Sequence, residues 1–150
     1  MNIVKVNIIL LKIINLGVIS MYIIIAGCGR VGSTIAREFV DDGHDVVIID
    51  KDKDRLESLG KGLNALRIVG IEYDIDILKE SGIEECDVFL ALTQNDSINI
   101  TACQIAKKIF NVGNVIAKVS DVNKEHIYIS LGIDYISPIK LGIEALKSRV

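Results

Sequence analysis

A glycine-rich turn between an apolar run and a helical pattern is the feature of this sequence that most restricts its fold. The β-branched run Tyr22–Ala26 leads directly into Gly-x-Gly-x-x-Gly, with glycines at positions 27, 29 and 32. Apolar residues at helical spacing follow the last glycine. A strand, a tight turn and a helix in this order are typical of the phosphate-binding corner of a nucleotide-binding βαβ unit.

The spacing of the three glycines gives each a different task. Gly27 permits the tight turn, Gly29 lets a diphosphate approach the backbone without meeting a Cβ, and Gly32 lets the helix pack closely on the strand. The phosphates would lie at the helix N-terminus, where unpaired N–H groups and the macrodipole favour an anion. We predict that the whole turn contacts a nucleotide: Gly27, Cys28, Gly29, Arg30, Val31 and Gly32. The Arg30 guanidinium either pairs with the diphosphate or is a surface group at the start of the helix.

An acidic residue ends the next predicted strand, at Asp50, where a carboxylate is expected to accept a hydrogen bond from a ribose hydroxyl. A strand-end cap for the following helix is the alternative role of Asp50. A carboxylate there also disfavours a 2′-phosphate, so we do not expect NADP. Several charged side chains follow, and they line the adenine edge or form a solvated face: Lys51, Asp52, Lys53 and Arg55.

Two more candidates lie at the ends of later strands. Thr93 follows an almost wholly apolar strand and is placed to contact a ribose or a phosphate, whereas Asn95 or Asp96 is expected to cap the next helix. Lys118 is a charge at the end of an apolar run. It is either a second phosphate contact or a snorkelling edge residue. We predict no catalytic residue and no metal site.

From Met21 onward, strand and helix patterns alternate with short connections, which predicts a parallel sheet covered on both faces. Six strands fit a Rossmann-like doubly wound α/β sheet in the order 3-2-1-4-5-6, with the ligand at the carboxyl ends of strands one and four. We expect Ile98, Ala102, Ile105 and Ile109 on the buried face of the fourth long helical pattern, with Asn99 on its polar face. Further helices are predicted over 52–59, from Asp121 to Gly132, and over 139–150.

Amino-acid composition and net charge exclude some classes of function. The chain has 150 residues, half of them apolar, and a net charge of −3, which argues against sequence-independent binding of nucleic acid. Its three cysteines lack metal-ligand spacing, so we expect reduced thiols and a cytoplasmic protein. Residues 1–20 are apolar but contain Lys5 and Lys12. Three interpretations are open for this segment: an extension ahead of a true start at Met21, a packed amphipathic helix or strand, or a membrane anchor. Residues 21–150 form the domain.

Several segments together resemble one family. They are residues 21–32, Gly43 to Asp50, Ala91-Leu-Thr-Gln-Asn-Asp96, Ala117-Lys-Val119, and Leu131-Gly-Ile-Asp134 with Ser137-Pro138. This combination is similar to the nucleotide-binding KTN domain, also called the RCK N-terminal domain, of TrkA-type potassium uptake regulators and potassium channels.

The resemblance implies a cytoplasmic regulator, not an enzyme, that binds NAD(H), ATP or ADP. It also implies a dimer or a larger ring, and a membrane-embedded potassium transporter or channel subunit as partner at the inner face of the membrane. Two positions depart from the family pattern: Gly70-Ile71-Glu72 stands where Gly-Asp is common, and Ile139 stands where an acidic residue often follows Ser-Pro. The usual C-terminal lobe has no counterpart in these residues, so we do not expect regulation through it.

Two other functions are compatible with a nucleotide fold. A small NAD-dependent oxidoreductase needs a substrate domain and an acid or base for hydride chemistry, and the sequence offers no evident candidate for either. A free-standing NAD or adenylate sensor with a partner outside transport is the other alternative.

Overall fold

A six-stranded, all-parallel sheet forms the centre of the computed structural model, which describes residues 19–150. Its strand order is β3-β2-β1-β4-β5-β6, as predicted. The predictions for residues 1–18 lie outside the described residues. The strands are β1 (Tyr22–Ala26), β2 (Asp45–Asp50), β3 (Leu66–Val69), β4 (Val88–Ala91), β5 (Asn114–Lys118) and β6 (Asp134–Ile136).

Helices connect successive strands and cover both faces of the sheet. They are α1 (Arg30–Asp41), α2 (Lys53–Glu57), α3 (Ile75–Glu80), α4 (Asp96–Lys108), α5 (Glu125–Leu131) and α6 (Pro138–Lys147). Short 3-10 turns at Ile83–Glu85 and Val122–Lys124 precede β4 and α5. None of the helices in the described part of the chain has the length and apolar character needed to cross a bilayer.

The core lies on both sides of the sheet because alternate residues of each strand face opposite ways. Ile23 and Ile25 of β1 pack with Ala36 of α1 on one face. Ile24 of β1 packs with Ala102 of α4 on the other. Strands buried on both faces must be apolar throughout, which explains why β1, β2 and β4 are continuous hydrophobic runs.

Two predictions about α4 are wrong. Asn99 is fully buried, and Ile109 is 53% exposed. Ile109 is the C-cap residue, beyond the last packed turn of the helix. Asn99 faces inward because its amide bonds to Thr93 after β4 and to the carbonyl of Lys118 at the end of β5.

Three helix boundaries also differ from prediction. The helix expected over 52–59 has only five residues, because Asp52 caps its start and Ser58 its end. The helix expected from Asp121 begins as a 3-10 turn. It ends at Gly132 as predicted, and this glycine has the left-handed conformation. The last helix runs over Pro138–Lys147, with Ser137 as its N-cap.

Candidate nucleotide-binding site

The first and third glycines of the turn are required by the fold itself. Gly27 has φ of +111°, and a Cβ there would lie 2.8 Å from the backbone nitrogen of Thr93. A Cβ on Gly32 would lie 1.9 Å from the carbonyl oxygen of Gly27, closer than any real contact. The turn role predicted for Gly27 and the packing role predicted for Gly32 are therefore explained by local geometry.

Gly29 is different, because nothing in the described protein requires a glycine there. Its φ of −81° and ψ of −163° suit any residue, and a Cβ would meet no atom within 4 Å. Gly29 is also the N-cap of α1, and no side chain caps that helix. The N–H groups of the first turn are therefore left without helical acceptors next to an open backbone. This combination can accept an anion.

The carboxylate of Asp50 lies directly beneath the glycine turn. It is 1% exposed. Its Oδ2 accepts the Cys28 N–H over 2.7 Å, and its Oδ1 accepts the Asp52 N–H over 2.8 Å. Each carboxylate oxygen keeps one further lone pair, so a sugar hydroxyl could bind as well. The ribose contact of Asp50 stays a prediction.

Arg55 lies over the same carboxylate. Its Nη1 is 3.9 Å from Asp50 Oδ2, and its Nε is 3.5 Å from Asp52 Oδ2. The Arg55 side chain is half exposed, and an ion pair of this exposure holds it weakly. The guanidinium can therefore move aside for a ligand or contact it. Lys51 is exposed beside this group, and its predicted contact stays untested.

Arg30, Val31 and Lys118 meet in a pocket on the other side of the glycine turn. The pocket has a volume of about 350 Å³ and lies at the carboxyl ends of the central strands. Gln94 and Ser120 add polar groups, and Pro138 and Ile139 close it with the first turn of α6. We predicted ligand contacts for Arg30, Val31 and Lys118, and these stay predictions; the other lining residues were not expected from the sequence.

Hydrogen bonds to its carbonyl group fix the backbone of Lys118 beside the pocket. The Lys118 carbonyl accepts a hydrogen bond from Asn99 Nδ2 over 2.9 Å and a longer one from the hydroxyl of Tyr128. Partial burial lowers the pKa of the Lys118 ammonium, and the charge of Asp96 partly opposes that effect. No ion pair to Lys118 occurs among residues 19–150, so its charge is available to an anion.

Asn99 and Asp96, which follow β4 in the chain, form hydrogen bonds that fix the backbone next to the site. Asn99 accepts the backbone N–H of Thr93 and the Thr93 hydroxyl, over 2.9 and 2.7 Å. Asp96 is 5% exposed and accepts the N–H groups of Ser120 and Asp121. The Thr93 hydroxyl is thus used within the protein, and its contact with a ligand stays a prediction. Asn95 is the N-cap of α4, and Asp96 joins the start of that helix to the loop after β5.

The three cysteines lack the properties of nucleophiles. Burial raises the pKa of Cys28 to about 11, and the nearby Asp50 charge adds to that rise. Burial also raises the pKa of Cys86 to about 11 and that of Cys103 to about 12. The Cys28 thiol points away from the phosphate side of the turn, since its Sγ donates to the Arg55 carbonyl over 3.3 Å. The Cys28 N–H is also taken, by Asp50, and the contact predicted for Cys28 stays a prediction.

The sequence matches the profile of the TrkA-N domain over residues 23–138. This chain belongs to the TrkA-N domain family. The Trk system potassium uptake protein TrkA of Streptomyces coelicolor is 37% identical over 130 residues, which are 87% of this chain and 58% of that protein. A TrkA homolog of Methanothermobacter thermautotrophicus is 37% identical over 131 residues, covering 87% of this chain and 60% of the homolog. The chain spans about three fifths of the length of these relatives.

Solved structures of TrkA-N and RCK domains share the fold. The TrkA-N domain of the inner membrane protein ybaL of Escherichia coli superposes with a TM-score of 0.78 at 14% identity, covering 88% of this chain and 98% of that one. The GsuK channel bound to NAD gives a TM-score of 0.67 at 17% identity, covering 79% of this chain and 21% of that one. Identities this low establish the fold of the TrkA-N domain and leave its ligand open.

Proposed function

We propose that this chain is the nucleotide-binding regulatory part of a Trk-type potassium uptake system. It binds an adenine nucleotide, NAD(H) or ADP/ATP, and passes the occupancy of that site to a membrane-embedded potassium transporter. The proposal is supported by the family, by relatives named for potassium uptake, and by the geometry of the glycine turn.

The freedom of Gly29 from any steric need for glycine is the observation that carries the ligand proposal. Gly27 and Gly32 are explained by turn geometry and packing, but Gly29 has a conformation that any residue can adopt and space for a Cβ. Other glycines share this freedom, but Gly29 combines it with the start of a helix that no side chain caps, where a ligand could approach the main chain. The bare first turn of α1 offers N–H donors at the same place.

We assign the two ends of the nucleotide to opposite sides of the glycine turn. The buried carboxylate of Asp50 suits ribose hydroxyls, with Arg55 beside it. The cationic pocket of Arg30 and Lys118 suits the group beyond the diphosphate. Solved GsuK structures bound to NAD and bound to ADP are structural neighbours, and both ligand types are candidates here.

A Gly29→Ala substitution tests the ligand proposal. The added methyl group meets no protein atom, so the variant should fold and unfold close to the wild-type temperature, lowered only by the poorer N-cap, while losing most of its affinity for ADP, ATP or NAD(H) in calorimetric titrations. Gly62→Ala is the matched control, since a Cβ there also meets nothing and Gly62 lies outside the site. Absence of binding by the wild-type chain, or wild-type binding by Gly29→Ala, would refute the proposal.

The output surface of the proposed regulator is α6 and the neighbouring β6. Ile139, Leu141, Ile143 and Leu146 of α6 are each about half exposed or more, and the described residues bury none of this helix. Apolar surface of this extent indicates a contact with another protein. We assign it to self-association in a dimer or ring, through which the transporter is engaged.

The proposed role is regulatory, and a ligand acts in it by binding two conformers with different affinity. The named relatives are potassium uptake proteins. Turnover of NADH with a panel of carbonyl compounds would show instead that the chain is an oxidoreductase.

Co-purification with a multi-span potassium transporter is the direct test of the partner.

A further inference from the structure

We infer that the edge strand β3 is a further contact surface of this chain, and that it pairs antiparallel, about a two-fold axis, with β3 of a second copy. The inference depends neither on nucleotide binding nor on the α6 surface. It is carried by the unpaired edge of the sheet, by the apolar side chains along that edge, and by the charges at its two ends.

β3 leaves one row of main-chain groups unpaired. It is the first strand in the sheet order, and among residues 19–150 it pairs with β2 alone. Directly after β3, the Gly70 N–H donates to the Asp50 carbonyl of β2 over 3.1 Å. Because main-chain groups alternate in direction along a strand, the N–H and C=O groups of Arg67 and Val69 point away from β2. An added strand can bind these groups.

The side chains along this edge are apolar and partly exposed. Leu66 and Val69 are 55% and 52% exposed, and their spacing places them on opposite faces of the strand. Ile71 continues the exposed apolar surface beyond β3. A strand that covers this edge must therefore present apolar side chains on both of its faces.

A second β3 meets this requirement. Within the described part of the chain the edge strands are β3 and β6. β6 has three residues and carries the exposed Asp134, whereas β3 is apolar on both faces. An antiparallel pair of identical strands is also an isologous contact, in which each copy makes the same hydrogen bonds as its partner.

Few charges oppose this pairing at the centre of the edge. Residues 65–71 contain neither lysine nor proline, which protect the edges of many sheets from added strands. Arg67 is the one charged residue among them. Its guanidinium donates to the carbonyl groups of Gly60 and Leu63, so it is held by a loop of its own chain.

Charges at the two ends of β3 complement each other in the antiparallel pair. Lys61 is exposed before the strand, and Asp76 is exposed after it. In one chain the two residues are separated by the length of β3, four residues or about 13 Å. Antiparallel pairing brings the segment before β3 in one copy alongside the segment after β3 in the other. Lys61 of each copy then approaches Asp76 of its neighbour.

Sedimentation equilibrium of the full chain tests the pairing, in a Leu146→Lys background that places a charge in the exposed apolar surface of α6. We expect a concentration-dependent dimer in this background. Val69→Lys should weaken that dimer at least about tenfold, because two lysines then approach each other near the axis. Ile109→Lys is the matched control, since Ile109 is 53% exposed and lies at the end of α4. A chain that stays monomeric, or a dimer that Val69→Lys and Ile109→Lys affect equally, would overturn the inference.

A charge exchange tests whether the partner is a second copy. Lys61→Glu and Asp76→Lys should each weaken the dimer by about threefold or more, and the variant that combines them should recover the original dissociation constant. Additive losses in the combined variant would contradict the antiparallel arrangement.

Hydrogen exchange of the wild-type chain provides a test without substitutions. The N–H groups of Arg67 and Val69 should exchange rapidly in dilute protein and slowly in concentrated protein, whereas the N–H of Ile68, which faces β2, should be protected in both. Protection of Arg67 and Val69 that does not change with concentration would show that the chain covers its own edge, and it would overturn the inference.

Discussion

The backbone N–H of Cys28 donates a 2.7 Å hydrogen bond to the buried carboxylate of Asp50. This bond joins the glycine turn after β1 to the end of β2, so the two parts of the proposed site share one fixed geometry. The second oxygen of the same carboxylate accepts the Asp52 N–H at the start of α2. Asp50 thus has a structural role in the unliganded protein as well as its proposed role toward a ribose.

Asp50→Asn is therefore expected to weaken both folding and nucleotide binding. The amide can accept from one of the two N–H groups, but its NH₂ then faces the other donor. Loss of one buried hydrogen bond to a charged acceptor should cost about 1.5–3 kcal/mol of unfolding free energy. Urea unfolding measures this cost. Asp54→Asn, at an exposed position of α2, is the control and should change little; equal stabilities of the two variants would contradict the assigned bonds.

Two Gly→Ala substitutions should have opposite effects on stability. Gly32→Ala places a methyl group 1.9 Å from the Gly27 carbonyl oxygen, and the shift of α1 needed to relieve it should destabilise the protein by about 1–3 kcal/mol or more. Gly142→Ala, in the middle of α6 with nothing within 4 Å, should stabilise it by about 0.5–1 kcal/mol. Thermal unfolding of the two variants compares them directly, and a stable Gly32→Ala would show that the packing of α1 on the turn is looser than described.

Affinity for ADP should fall at alkaline pH because of Lys118. Burial lowers the pKa of this ammonium in the free protein, and a bound phosphate favours the protonated form and raises that pKa again. Above the lowered pKa, binding must take up a proton, so the dissociation constant rises with pH. Titrations between about pH 7.5 and 10 measure the trend. Lys118→Arg should bind with little pH dependence, since a guanidinium stays charged; a parallel decline in that variant would assign the effect to another group.

The thiols should react slowly in the folded protein at pH 8. The pKa values of Cys28 and Cys86 are raised to about 11, and that of Cys103 to about 12, so the thiolate fraction is small at this pH. A disulfide reagent should label all three within minutes in guanidinium chloride and label the native chain far more slowly. Rapid labelling of a native thiol would show that the surroundings of that cysteine open readily.

Local rules were sufficient to predict the fold and the glycine turn. The strand order follows from alternating strand and helix patterns, and the roles of Gly27 and Gly32 follow from backbone sterics within a short segment. The family prediction was confirmed by the match to the TrkA-N domain over residues 23–138. The ligand contacts themselves, from Gly29 to Lys118, stay predictions.

Contacts between distant loops were not predictable in the same way. Asn99 occupies a helical position that reads as polar and exposed, yet it is buried because Thr93 after β4 and the Lys118 carbonyl at the end of β5 both bond to its amide. Asp96 reads as a helix cap, but its partners belong to the loop after β5. The pocket draws its lining from four separate segments, represented by Arg30, Gln94, Lys118 and Pro138. Such convergence depends on tertiary structure, which single-segment patterns do not contain.

Pro138 and Ile139 border the pocket and also begin the last helix. In the proposed regulator, a molecule that fills the cavity would contact the base of a helix ten residues long, or about 15 Å at the usual helical rise. A tilt of about 5° at that base would displace the far end by about 1 Å, enough to alter how its exposed leucine and isoleucine side chains fit a neighbour. On this proposal, occupancy of the cavity at one end of the helix would be felt as displacement at the other, because both belong to one element.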